Sequence, residues 1–143
     1  LKESYKKEIT ELRSIILINK GNFKFEKVIL PALAQQFPVL QSVFFDVDND
    51  GIEDCILAGS IYNTEVETTR LDAISGLVLK TDATGSFKAL PYLSTGLYLK
   101  GNVKDILHVK MEDFNYVLTS TNNNRLKAYK SRSNNLSLTK FKN

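Results

Sequence analysis

Nothing in this chain constrains its fold more than the stretch Asp46-Val47-Asp48-Asn49-Asp50-Gly51-Ile52-Glu53-Asp54, which stands between the apolar runs Val43-Phe44-Phe45 and Cys55-Ile56-Leu57-Ala58. Counted from Asp46, aspartates occupy positions one, three, five and nine, and glycine occupies position six. Alternate carboxylates in a tight turn can converge on one point, and a hard cation such as Ca2+ takes several oxygen ligands there. Gly51 suits the sharp turn because it reaches backbone angles closed to other residues. In a Ca2+ loop of this pattern Asp46, Asp48 and Asp50 supply side-chain oxygens, Ile52 its carbonyl, and Asp54 closes the site. The helical EF-hand requires a glutamate at the twelfth position, where this chain has Leu57. The loop therefore joins two strands, not two helices. An acidic, solvated hairpin turn without metal is the competing reading. Crowded carboxylates repel one another, and a cation at their centre relieves that repulsion.

Charge is distributed in keeping with a cation site. Residues 41–75 hold eight of the sixteen acids and one base, Arg70, whereas residues 114–143 hold six bases and no acid. Those bases are spread along alternating segments, as on solvated strand faces, so nucleic acid is not an expected partner. The net charge of +3 adds nothing to that case. No run is long and apolar enough to span a bilayer. The chain begins at Leu1, without an initiator methionine or a secretory signal, which reads as a mature or excised piece. Lone Cys55 excludes an internal disulfide and any multi-cysteine metal site. In its apolar run it reads as a small buried hydrophobe.

Along the chain, short runs rich in β-branched and aromatic residues alternate with turn-forming clusters. The polar residues 1–11 read as an arm or short helix. Residues 12–19 and 23–28 form a hairpin about Lys20-Gly21-Asn22, and the second strand has one wet face. Pro31 and Pro38 bracket a connection. Strands at 39–45 and 53–59 flank the acidic loop, and residues 60–73 form a long polar insertion of a kind often functional. Strands at 76–80 and 86–90 enclose the turn Thr81-Asp82-Ala83-Thr84-Gly85, and residues 91–101 are an irregular connection. Further strands are expected at 103–110, 114–120, 125–130 and 136–141. About ten short strands joined in sequence by tight turns predict an all-β fold: sandwich, barrel or propeller.

A weak internal repeat selects among these. The turns Asn19-Lys20-Gly21-Asn22-Phe23-Lys24 and Asp82-Ala83-Thr84-Gly85-Ser86-Phe87-Lys88 are alike. Each follows an Ile/Leu strand and precedes a leucine and proline, Leu30-Pro31 and Leu90-Pro91. The offset of about sixty residues is in the range of a four-stranded propeller blade with loops.

These features, with Ala58-Gly59-Ser60, Glu65-Val66-Glu67 and Arg70-Leu71-Asp72-Ala73, resemble bacterial VCBS/FG-GAP repeat proteins, which are similar to the calcium-bearing blades of the integrin α-subunit β-propeller. The resemblance covers residues 12–131. It implies Ca2+ on Asp46, Asp48, Asp50, Ile52 and Asp54, a secreted, periplasmic or cell-surface location, and recognition of a protein or carbohydrate ligand more often than catalysis. The turn near Met111-Glu112-Asp113 lacks the aspartate series, so no second metal is expected there.

On this reading residues 1–143 are one portion of a β-propeller of antiparallel four-stranded blades. Residues 12–30 form a half blade, 39–90 the calcium-loop blade and 102–141 a final blade. These two and a half blades fall short of a closed ring, which needs about four to eight. Exposed sheet edges then predict self-association or further blades upstream. The expected function is a calcium-stabilised binding or scaffold module without catalytic residues, and the insertion residues Glu65, Glu67, Arg70 and Asp72 are its candidate ligand loop. The alternative is a glycan- or ester-processing hydrolase using the carboxylates of residues 63–72. No GxSxG or HExxH motif supports it, and lone His108 has no nucleophile nearby in sequence.

Overall fold

A computed structural model describes residues 6–112, 114–132 and 135–140, and expectations at 1–5, 113, 133–134 and 141–143 lie outside the described residues. The fold is all-β with antiparallel sheets, and the chain divides into two compact units, Leu1–Leu30 and Pro31–Asn143.

The first unit is the hairpin β1 (Ile15–Asn19) and β2 (Phe25–Ile29), paired from Ile15↔Ile29 to Asn19↔Phe25. β1 is a β-branched run, as strands favour. Its turn closes through Lys20 N–H to the Lys24 carbonyl at 2.9 Å. Glu11 pairs with Arg13 at 2.8 Å and with Lys27 at 2.9 Å.

The second unit contains two four-stranded meanders. The first comprises β3 (Gln41–Phe45), β4 (Asp54–Ala58), β5 (Leu77–Thr81) and β6 (Phe87–Leu90). The second comprises β7 (Val103–Met111), β8 (Phe114–Thr121), β9 (Lys127–Arg132) and β10 (Asn135–Lys140). In each sheet the spatial order follows the sequence order, short turns joining most antiparallel neighbours and the long insertion joining β4 to β5. A 3₁₀ turn at Ala32–Gln35 lies in the connection between prolines, and one helical turn, α1 (Tyr92–Thr95), follows Pro91.

Burial explains why the runs differ in pattern. β3 and β7 mix buried and exposed positions, whereas β4 is buried at every residue and β5 at all but Lys80. A strand covered on both faces has no wet side, so it reads as a continuous apolar run. One core joins the two sheets: Phe45, Val47, Ile56, Ala58 and Val78 pack with Val103, Ile106, Val117, Tyr129 and Leu138. Leu97 and Leu99 complete it from the connection after α1. Full burial of each such aliphatic side chain contributes about 1.5–3 kcal/mol, so this shared core holds the sheets face to face.

Strand direction sorts the connections to two ends. The acidic loop 46–53 and the turn after β5 lie at one end, and the insertion 60–73 and the connection 91–101 lie at the other. Ser60 ties the latter two together. Its hydroxyl donates to the Gly101 carbonyl at 2.7 Å and accepts from Val103 N–H at 2.9 Å. Gly59, just before it, lies tight against the segment leading into β3, where a Cβ would lie 2.1 Å from the Pro38 carbonyl oxygen.

Candidate metal centre

The loop is built from hydrogen bonds that the aspartates make to its own backbone. Asp46 accepts from Asp50 N–H at 3.1 Å on one carboxylate oxygen and from Gly51 N–H at 2.8 Å on the other. Asp50 accepts from Ile52 N–H at 2.9 Å. Asn49 and Gly51 take the left-handed conformation that folds the chain back. Each ionised carboxylate retains further lone pairs beyond these bonds. The result gathers Asp46, Asp48 and Asp50, each offering an oxygen within 4.8 Å of the others. This group can hold a metal ion.

Asp54, the fourth expected side-chain ligand, opens β4 and is fully buried. Its oxygens accept from Thr81 N–H at 2.9 Å and Val47 N–H at 3.3 Å, so it braces the loop against β5. Burial raises its pKa, and those N–H donors and Lys80 oppose the rise. Ile52 donates its N–H within the loop.

A cation already stands among these carboxylates. Lys80 Nζ lies 2.7 Å from Asp48, 2.7 Å from Asp50 and 3.3 Å from Asp54. Burial pulls its pKa down, but the hydrogen bonds to Asp48 and Asp50 outweigh burial and the net shift is upward. Asp50 moves the other way, lowered first by its bond to Lys80. The ammonium therefore relieves the repulsion that the sequence leaves unresolved, and it fits the donor set: hard, anionic oxygens converging on one positive charge. Lys80 is the residue that sequence reasoning missed. The available signal was a lysine interrupting the buried run Leu77-Val78-Leu79.

The second sheet fixes the loop from the side. Buried Ser131 on β9 donates to the Val47 carbonyl at 2.8 Å, and Asn115 on β8 reaches the Asp46 carbonyl at 3.5 Å. Asn115 also bonds His108 at 2.8 Å, and the His108 ring stacks on Phe45 with centroids 4.0 Å apart. His108 is thus held by packing and an amide partner. Cys55, buried beside Asp54, has its thiol pushed up to about 12, chiefly by burial.

The insertion lies at the opposite end. A bridge between Ile61 and Leu71 closes it, with N–H···O distances of 3.1 and 2.9 Å, and the Thr64 hydroxyl donates to the Thr68 carbonyl at 2.7 Å. Glu65 and Glu67 stand exposed near the tip, on either side of fully exposed Val66. Arg70 stands over Tyr62, with its guanidinium 4.9 Å from the ring centroid. Burial, and after it the neighbouring Asp72 carboxylate, raise the Tyr62 pKa. All four candidate ligand residues are thus exposed, Glu65 and Glu67 near the tip and Arg70 and Asp72 where the insertion returns towards β5.

No protein-family model, curated protein or solved structure matches the chain. Among the described residues no helix is long and apolar enough to cross a membrane.

Proposed function

We propose that the chain is a calcium-stabilised recognition or scaffold module built of β-propeller blades of the VCBS/FG-GAP type, acting outside the cell. The observation that carries this reading is the convergence of Asp46, Asp48 and Asp50 on one cation position in a strand-to-strand loop. The two stacked four-stranded meanders support it, because serial antiparallel sheets packed face to face are how blades succeed one another. Closure of a ring belongs to the proposal, through self-association or further blades. Ca2+ fits better than Mg2+ in an all-carboxylate loop, since Ca2+ accepts irregular oxygen sets and Mg2+ retains its waters. The ion would hold the loop in place and leave recognition to other surfaces.

Thermal melting of the full chain tests this reading. With Kd about 10⁻⁴ M, as for extracellular calcium modules, about 10 mM Ca2+ stabilises by about 2.7 kcal/mol. An increase in Tm with Ca2+, reversed by chelator and absent in Asp48→Ala, supports the metal site. An unchanged midpoint in the parent protein removes it.

A further inference from the structure

At the end of the second unit away from the aspartate loop, the 3₁₀ connection, the start of β5 and the segment around α1 enclose a cleft of about 540 Å³. Its lining includes Tyr92 and Tyr98, with Asp72, Gln36 and Ser75 as polar groups and Leu77 as a buried apolar one. The tyrosines are 50% and 47% exposed, and their rings sit 5.6 Å apart at 49°. Two half-bare aromatic rings beside a few convergent polar groups have the make-up of a small-molecule site.

We infer that this cleft binds a neutral oligosaccharide, with Tyr92 and Tyr98 receiving a sugar face and Asp72 accepting from its hydroxyls. The inference deepens the recognition reading above and rests on it. A pyranose ring presents an apolar C–H face and a rim of vicinal hydroxyls. Tyrosine faces meet the first requirement. A carboxylate, an amide and a hydroxyl meet the second, since together they both accept and donate. Charge sets the class further. No lysine or arginine lines the cleft among the described residues, and one carboxylate does. A phosphate or uronate ligand would meet that carboxylate unpaired. The volume falls within the usual range of ligand sites, about 300–1,000 Å³, and admits more than one sugar ring. A proline-rich peptide would also use aromatic walls, but the tilted rings leave no parallel slot for its ridge.

The test is NMR titration of the full chain with cellotriose, xylotriose, chitotriose and maltotriose, and separately with a proline-rich peptide. At least one sugar is expected to shift the Tyr92, Tyr98 and Ser75–Leu77 resonances saturably, with Kd about 1 mM. Tyr92→Ala and Tyr98→Ala each weaken it about tenfold, and Asp72→Asn weakens it about fivefold. Both tyrosines lie half exposed outside the core cluster, so truncation leaves the core packed, and the Ca2+-dependent Tm increase at the far end reports intact folding. Three results overturn the proposal: silence with all four sugars, sugar binding that survives both tyrosine substitutions, or shifts at the cleft from the peptide alone. Silence alongside a preserved Ca2+ response removes the sugar site and leaves the metal reading standing. Sugar shifts without a Ca2+ response do the reverse.

Discussion

Replacing Lys80 by methionine separates the lysine's role from that of a metal. The substitution keeps most of the side-chain stem and removes the ammonium that lies 2.7 Å from both Asp48 and Asp50. Without it Asp54 is left fully buried with two backbone donors and no counter-charge. Removing one partner of a buried pair costs about 3–5 kcal/mol. The lysine side chain is 19% exposed and that of Asp50 39% exposed, so solvent screens part of the interaction. That brings the expected loss to about 2–3 kcal/mol, or a Tm lower by roughly 10 °C for a chain of this size. The same change removes a competitor. A metal ion seating on Asp48 and Asp50 must displace the ammonium, so Lys80→Met should bind Ca2+ about tenfold more tightly, a gain of about 1.4 kcal/mol. Melting curves of both proteins in chelator and in about 10 mM Ca2+ measure both effects. The variant should be the less stable in chelator and should gain more from Ca2+. A variant that melts like the parent in chelator, or gains less from Ca2+, rules out Lys80 as the counter-charge of these carboxylates.

Other substitutions probe the frame around the site. Gly59→Ala places a Cβ 2.1 Å from the Pro38 carbonyl oxygen and 2.6 Å from Leu40 N, both backbone atoms that cannot swing aside. Urea denaturation should show a loss of about 3 kcal/mol. Cys55 should resist a thiol reagent at neutral pH until the protein unfolds, because burial pushes its thiol up to about 12; labelling of the native protein at the rate of a free thiol contradicts this. Asp82 has its pKa lowered by the Thr84 hydroxyl and by the Ser86 and Thr84 N–H groups. Its folded value lies below its unfolded one, so the unfolded chain takes up more protons as pH falls, and this stability is present above the ordinary carboxylate range and lost below it. Asp82→Asn should flatten the acid limb of a stability–pH curve, and an unaltered limb contradicts that assignment.

The fold was legible where local chemistry and tertiary burial agree. Phe87–Leu90 and Phe114–Thr121 lie between clear turn signals, and the strands fall within a residue or two of the expected bounds except β1, which starts at Ile15 and not at Leu12. Cys55-Ile56-Leu57-Ala58 was legible as a strand but not as one covered on both faces, since a continuous apolar run does not say what packs on it. The aspartate loop was legible because its ligands are close in sequence and their spacing carries the geometry. Lys80 was not, because its partners Asp48 and Asp50 are distant along the chain and meet it only through the β4–β5 pairing. The cleft was hidden for the same reason. Gln36, Asp72 and the pair Tyr92 and Tyr98 come from three different connections, and no periodicity joins them. Ser60 was hidden too: it looked like the first residue of a polar insertion, whereas its hydroxyl fastens that insertion to the start of β7.

Asp46, Asp48 and Asp50 form the proposed cation site, and the Lys80 ammonium stands against two of its carboxylates, Asp48 and Asp50. Calorimetric titration of the metal-free full chain with Ca2+, beside Asp48→Ala, tests it most directly. One saturable site with Kd about 10⁻⁴–10⁻³ M, lost in the variant, is the expected result. No binding by the parent at millimolar Ca2+, or equal binding by Asp48→Ala, contradicts it.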